Sequence, residues 1–233
     1  MAELRLTISG SDDALAVRAE RLVIAGYTAR DDASVREHID ELARIGVPPP
    51  PTVPMFYHLD PGLLTTDEVV DVAGDLTSGE VEPVLVRAGG RWYLGVGSDH
   101  TDRDLEREDI GTAKAACPKP LGDVVVPLPD DLAAGAYDTA WDRAHARCEV
   151  DDTLYQDGPV AVLRQPSDLL PRLSAELTAR GEDPEAGDLV VFTGTLPLVG
   201  GEFRAGRSWH LELTLDGGPT VLTHRYDVKQ RSS

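Results

Sequence analysis

The chain has 233 residues with 41% hydrophobic content, enough for one ordinary globular unit. Its 22 basic against 41 acidic residues leave a net charge of −19, a field that repels phosphate backbones and anionic lipid and so argues against nucleic-acid or membrane partners. No apolar run reaches the roughly 18 residues of a membrane span and no signal peptide is read; two isolated cysteines, Cys117 and Cys148, favour a reducing, cytoplasmic setting over a disulfide framework.

Leu4–Ile8 alternates as a strand, and Leu22–Tyr27 reads as a second. Asp31–Ile45 is predicted to be a helix. Asp31, Asp32 or Ser34 can cap it, Val35, Ile39, Leu42 and Ile45 recur at helical spacing, and Gly46 stops it. The prolines from Pro48 to Pro51, with Pro54, demand extended backbone. The charged helix ahead of them reads equally as a movable flap or a plain connector. Residues 1–60 are thus expected to hold N-terminal strands, a lid helix and a Pro-rich linker. Residues 61–233 form the main domain of a single globular unit.

Beyond Leu63 the pattern is mostly β. Glu80–Ala88 and Arg91–Ser98 flank Gly89-Gly90 as a hairpin, and His145–Val150 and Thr153–Gln156 flank Asp151-Asp152 as another. Thr101–Asp109 reads as a short charged helical turn and Asp123–Leu128 as a strand. Ser167–Arg180 is an amphipathic helix with Leu169, Leu170, Leu173 and Leu177 on one side, Leu189–Thr193 and His210–Leu215 are late strands, and the end frays from Asp227. Strands dominate, so the fold class is α+β, with mixed, curled sheets.

In Glu80-Val81-Glu82 the strand period puts two carboxylates on one face. Like charges that close repel each other and raise each other's pKa, so a cation between them is one solution and a solvated edge is the other. Asp99 ends the next strand and can face the pair across the hairpin. Three carboxylates without His or Cys suit Mg²⁺, Mn²⁺ or Ca²⁺ better than Zn²⁺.

At these residues the chain resembles the fumarylacetoacetate hydrolase superfamily. Glu80-Val81-Glu82 is similar to its Glu-x-Glu strand, and Ser98-Asp99 through Arg103-Asp104 to its Asn-Asp-x-x-x-Arg-Asp segment. Val150 to Gly158, with Gln156, is similar to its strand-turn-strand, Gly187-Asp188 through Gly194-Thr195 to its Gly-Asp-x-x-x-x-Gly-Thr stretch, and His38-Ile39-Asp40-Glu41 before Pro48 to its lid motif. The fragments keep the family's order from about Ile24 to Leu215. The resemblance implies a mixed β-roll enclosing a metal at one mouth, with Glu80, Glu82 and Asp99 as ligands. It also implies hydrolysis of a C–C bond in a small 2-oxo or 1,3-dicarbonyl acid, and a homodimer. Four positions depart from the family: Ser98 replaces an Asn, Glu106 a Gln and His58 a Lys, while Lys114 stands closer to Cys117-Pro118.

Roles follow for the remaining residues. Glu41 can orient His38, one helical turn away, as general base. Arg103 can clamp a substrate carboxylate or pair with Asp102, Asp104 or Glu106. Lys114 is a candidate for an oxyanion, and Glu106, Gln156, Thr195 and His58 are candidate substrate contacts. A catalytic thiol at Cys117 is disfavoured, and no Gly-x-Ser-x-Gly elbow is present. The same site also fits an oxo-acid decarboxylase, hydratase or tautomerase, or a non-catalytic binding protein.

Overall fold

The computed structural model describes residues 2–11, 13–44, 49–215, 218 and 220–231; within them, the side chains of Ala2, Glu37, His38, Glu41, Leu42 and Arg44 lie outside the description. In chain order, β1 (Ala2–Ile8) and β2 (Ala14–Gly26) precede α1 (Asp32–Arg44). Then come β3 (Met55–Leu59), β4 (Leu64–Thr65), β5 (Val69–Val72), β6 (Thr77–Ser78), β7 (Val81–Ala88), β8 (Arg91–Ser98) and β9 (Thr101–Asp102). The helices α2 (Arg103–Glu106) and α3 (Ile110–Ala115) lead to β10 (Lys119–Pro120), β11 (Val124–Pro127) and α4 (Asp138–Arg143). The chain closes with β12 (His145–Val150), β13 (Thr153–Pro159), α5 (Pro166–Ala179), β14 (Asp188–Phe192), β15 (Ser208–Thr214) and β16 (Val221–Gln230).

Six strands form a closed ring in the order β1-β11-β8-β7-β14-β2, with β2 returning to β1 and β3 attached to the far half of β2. Strands from the N-terminal 60 residues therefore share one sheet with those of the main domain. A second sheet, β13-β12-β15-β16-β5, packs against the outside of the ring together with α5. This is the expected α+β architecture of mixed, curled sheets.

The ring explains why β7 is buried along its whole length. Val84, Val86 and Ala88 fill the interior with Leu22, Ile24, Val190 and Phe192, while Val81 and Leu85 meet the second sheet's core around Trp209 and Tyr155. The facing strand β8 carries Gly97 because a Cβ there would come within 2.7 Å of Phe192 and 2.8 Å of the Pro120 carbonyl. Closing the ring around large apolar side chains leaves room for backbone only.

Several local expectations hold. Asp31 caps α1 by accepting from Ser34 N at 2.9 Å. Leu169, Leu170, Leu173 and Leu177 are all buried on α5. The β12–β13 turn places Asp151 and Asp152 at φ +48° and +58°, a conformation Asp tolerates better than most residues. Ile45, Gly46 and Pro48 lie outside the described residues.

Others are corrected. The end is not frayed from Asp227: Asp227–Gln230 continue β16 and pair in parallel with β5, which satisfies their backbone groups. The strand Leu22–Tyr27 begins eight residues earlier, at Ala14, where the alternation of Leu15, Val17 and Ala19 with Arg18 and Glu20 pairs with β1. The charged turn 101–109 divides into β9 and α2. Asp102 caps α2 and Asp109 caps a further helix, α3, through Thr112 N at 2.6 Å. Among the described residues no helix is long and apolar enough to cross a membrane.

Candidate metal centre

Glu80 precedes β7 and Glu82 is its second residue. Asp99 follows β8, and its N–H donates to the Glu80 carbonyl at 3.1 Å. Glu82 has the parity of Val84 and Val86 on β7, and Asp99 that of Gly97 on β8. Strand alternation thus delivers the carboxylates to the mouth of the ring. All three residues are buried, and one oxygen from each lies within 4.8 Å of the others.

Three cations surround them. Lys114 Nζ lies against Asp99 Oδ2, Lys119 Nζ is 3.2 Å from Asp99 Oδ1, and Arg103 Nη2 is 3.3 Å from Glu80 Oε2. Among the described residues no cation pairs directly with Glu82, though Lys114 is near enough to be felt; Glu82 Oε2 accepts from Gly194 N at 2.8 Å. Gly194 adopts φ +105°, and a Cβ there would collide with Thr28 Oγ1, so glycine is required for that N–H to reach the carboxylate.

These surroundings set the protonation directions. Burial, reinforced by Asp99, holds Glu82 well above the ordinary carboxylate range. Burial also raises Glu80 despite Arg103. Burial would raise Asp99 as well, but Lys114 and Lys119 pull it below its usual value. With Glu106, four carboxyl groups face the three cations, so their full ionisation leaves one negative charge over. A hard divalent cation fits an all-oxygen donor set short of positive charge.

The raised Glu80 and Glu82 have a measurable consequence. Above the ordinary carboxylate pKa, the metal-free native protein keeps protons that the unfolded chain has released. The native state then binds more protons, so stability falls as pH rises, and the decline levels off once both groups have ionised in the native state. In EDTA, Tm is expected to drop as pH rises above the ordinary carboxylate range, and Mg²⁺ should recover more of it at the higher pH, where fewer protons must be displaced. A Tm that is flat or rises across this window would contradict the arrangement.

Of the other predicted site residues, Arg103, Glu106 and Lys114 join the cluster. Arg103 Nη1 donates to both Glu106 oxygens, at 3.1 and 2.9 Å, and Lys114 Nζ sits 5.7 Å from the Tyr57 ring centroid. Thr195 is half-buried beside β7, donating to the Val81 carbonyl at 3.0 Å.

Two residues expected at the substrate are placed otherwise. Gln156 is fully buried; its Oε1 accepts from Val81 N at 2.8 Å, and its Nε2 donates to Thr195 Oγ1 and the Leu196 carbonyl, both at 2.7 Å. Both amide hydrogens are spent, so it is a strut between β7 and the 194–196 segment. His58 points to the opposite face of β3, where Nε2 meets Glu176 of α5 at 2.9 Å; its neighbour Tyr57 is the residue turned toward Lys114. The side chains of His38 and Glu41 lie outside the described residues, which place only their backbone in α1.

His100 is no metal ligand in this arrangement. Its ring nitrogens meet Tyr226 Oη and Thr77 Oγ1, both at 3.0 Å, and burial with Lys119 and Arg103 nearby lowers its pKa to about 3. Burial raises Cys117 to about 11, which removes it as a nucleophile at neutral pH. Sequence reasoning missed Lys119, which is 0% exposed; nothing in Cys117-Pro118-Lys119-Pro120 signals a buried cation. Tyr57 was legible from strand parity, since it and His58 take opposite faces.

Residues 25–226 match the family described as "Protein of unknown function (DUF2848)". No match was found among curated proteins. The fold is similar to a putative fumarylacetoacetate hydrolase family protein from Yersinia pestis CO92, with a TM-score of 0.62 at 16% identity, covering 97% of this chain and 100% of that one. It is also similar to a 5-carboxymethyl-2-hydroxymuconate delta-isomerase from Mycobacterium smegmatis, with a TM-score of 0.59 at 18% identity and 95% and 84% coverage. A 2-keto-3-deoxy-D-arabinonate dehydratase complexed with magnesium and 2,5-dioxopentanoate is similar as well, with a TM-score of 0.59 at 16% identity and 96% and 78% coverage.

Proposed function

The chain belongs to the DUF2848 family and has the fold of the fumarylacetoacetate hydrolase superfamily, and from that premise we propose that it is a divalent-metal-dependent enzyme acting on a small oxo acid. The reaction that we favour is hydrolysis of a C–C bond in an acylpyruvate-type substrate. The observation carrying this reading is the convergence of Glu80, Glu82 and Asp99 at the ring mouth. The magnesium named with the similar dehydratase supports the choice of Mg²⁺, with Mn²⁺ and Ca²⁺ as alternatives.

When bound, the cation supplies a Lewis acid and a template for the adjacent oxygens of a 2-oxo or 1,3-dicarbonyl acid. The chain's own groups supply the rest. Lys114, on Asp99 and beside Tyr57, is the ammonium suited to steady an oxyanion forming at the mouth. Arg103 holds Glu80 and Glu106 in place. The apolar ring interior below offers water no polar partners, which keeps it to the mouth side. His38 and Glu41 are assigned the proton transfer from water on their one-turn spacing in α1 alone. A cytoplasmic homodimer is part of the same proposal; the two free, buried cysteines support the reducing setting.

The isomerase and dehydratase names among the similar structures favour a second reading, a decarboxylase, hydratase or tautomerase on the same centre. One experiment separates them. An acylpyruvate and oxo-acid panel is assayed with Mg²⁺ and with EDTA, for the native protein and His38→Ala. Metal-dependent hydrolysis lost in His38→Ala supports the first reading. Metal-dependent turnover that survives the substitution supports the second. Tight Mg²⁺ or oxo-acid binding with no turnover points to a binding protein, and activity unaffected by EDTA overturns the proposal.

A further inference from the structure

Arg103 is buried, yet no nitrogen of its guanidinium is spare. Nε donates to Ser78 Oγ at 2.6 Å, Nη1 to both Glu106 oxygens, and Nη2 lies 3.3 Å from Glu80 Oε2 and 3.5 Å from the Ser78 carbonyl. The Phe203 ring covers one face of the plane, 3.8 Å from Cζ to the ring centroid. A bidentate carboxylate clamp needs two parallel N–H groups free. Arg103 can offer them only by giving up Glu106, and a second carboxylate arriving there would meet Glu106 as a like charge.

The charge balance agrees. With all four carboxyl groups ionised, as cation binding requires, Glu80, Glu82, Asp99 and Glu106 exceed Arg103, Lys114 and Lys119 by one negative charge. A divalent cation turns that into one positive charge, which a single carboxylate neutralises; a dicarboxylate would leave a buried excess. Tyr27, Tyr57 and Asp109 stand beyond Glu106. Tyr27 and Tyr57 both stand close enough to Lys114 and Glu106 to feel their charges, and burial keeps both phenols protonated.

We propose that Glu106 is a specificity-determining residue that restricts the site to oxo acids with one carboxylate and an uncharged remainder. The inference rests on the metal-dependent oxo-acid reading above. Glu106 does this through two effects: it saturates Arg103, and it sets the loaded site at a single positive charge.

A matched pair tests it. 2-Oxopentanoate and 2-oxoglutarate share a five-carbon chain and differ in a terminal methyl against a carboxylate. Binding of each to the Mg²⁺-loaded protein is measured by calorimetry, after Mg²⁺ binding alone has been measured. The native protein should prefer 2-oxopentanoate by about tenfold or more. Glu106→Gln should narrow that ratio by about tenfold or reverse it, while Glu106→Asp, which keeps the charge, should preserve the preference. Native protein that binds 2-oxoglutarate equally well or better overturns the inference, as does an unchanged ratio in Glu106→Gln. Absence of Mg²⁺ binding overturns the functional reading and this inference together, so the two failures are distinguishable.

Discussion

Asp99→Asn is expected to weaken Mg²⁺ or Mn²⁺ binding by about 100-fold or more and to abolish any metal-dependent turnover. Asp99 is the carboxylate held ionised, because Lys114 and Lys119 pull its pKa down against burial, so it is the ligand ready to receive a cation without first losing a proton. Asparagine keeps the shape but carries no charge, and leaves two buried ammonium groups facing an amide. Calorimetric titration with either cation reads the loss directly. Glu82→Gln separates ligand loss from fold loss. It should also lose the cation, but it removes a carboxylate that burial already penalises, so the metal-free protein should unfold at the same temperature or higher. Native-like cation affinity in both variants would remove the three carboxylates from consideration as a metal centre.

Lys119→Ala is expected to lower the unfolding free energy by about 3–5 kcal/mol, read from urea titration at neutral pH. Lys119 is 0% exposed and its ammonium is fully engaged. It donates to the His100 and Lys114 carbonyls at 2.5 Å each and approaches Asp99 Oδ1 at 3.2 Å. Truncation leaves a cavity, two carbonyls without a donor, and Asp99 with one ammonium instead of two. The group ties α3 and the segment after β8 to the same point, so its loss loosens the ligand loop as well as the fold. A change below about 1 kcal/mol would show that water replaces the ammonium at little cost.

The ring mouth was legible because it is local. The Glu80-Val81-Glu82 alternation, the Gly89-Gly90 turn and Asp99 at the end of the return strand fix three carboxylates within one hairpin. The same hairpin logic located β12 and β13, and helical spacing located α5. Elements whose partners are distant in sequence were missed or cut short. The end of β16 gains its stability from β5, far back in the chain, whereas the first half of β2 was missed although its partner β1 immediately precedes it. The analogy between His58 and a family lysine points to the other face of β3: His58 meets Glu176, and its neighbour Tyr57 faces Lys114.

By itself the sequence determined which residues share a face of a strand: period 2 aligned Glu80 with Glu82. Only the tertiary structure decided what those faces meet. Glu82 takes its hydrogen bond from Gly194, 112 residues away; Gln156 spends its amide on β7 instead of a ligand; Arg103 is saturated by Ser78, Glu80 and Glu106. The physical reason is that periodicity records burial on one element, whereas charge pairing and hydrogen-bond saturation depend on which elements the closed ring brings together.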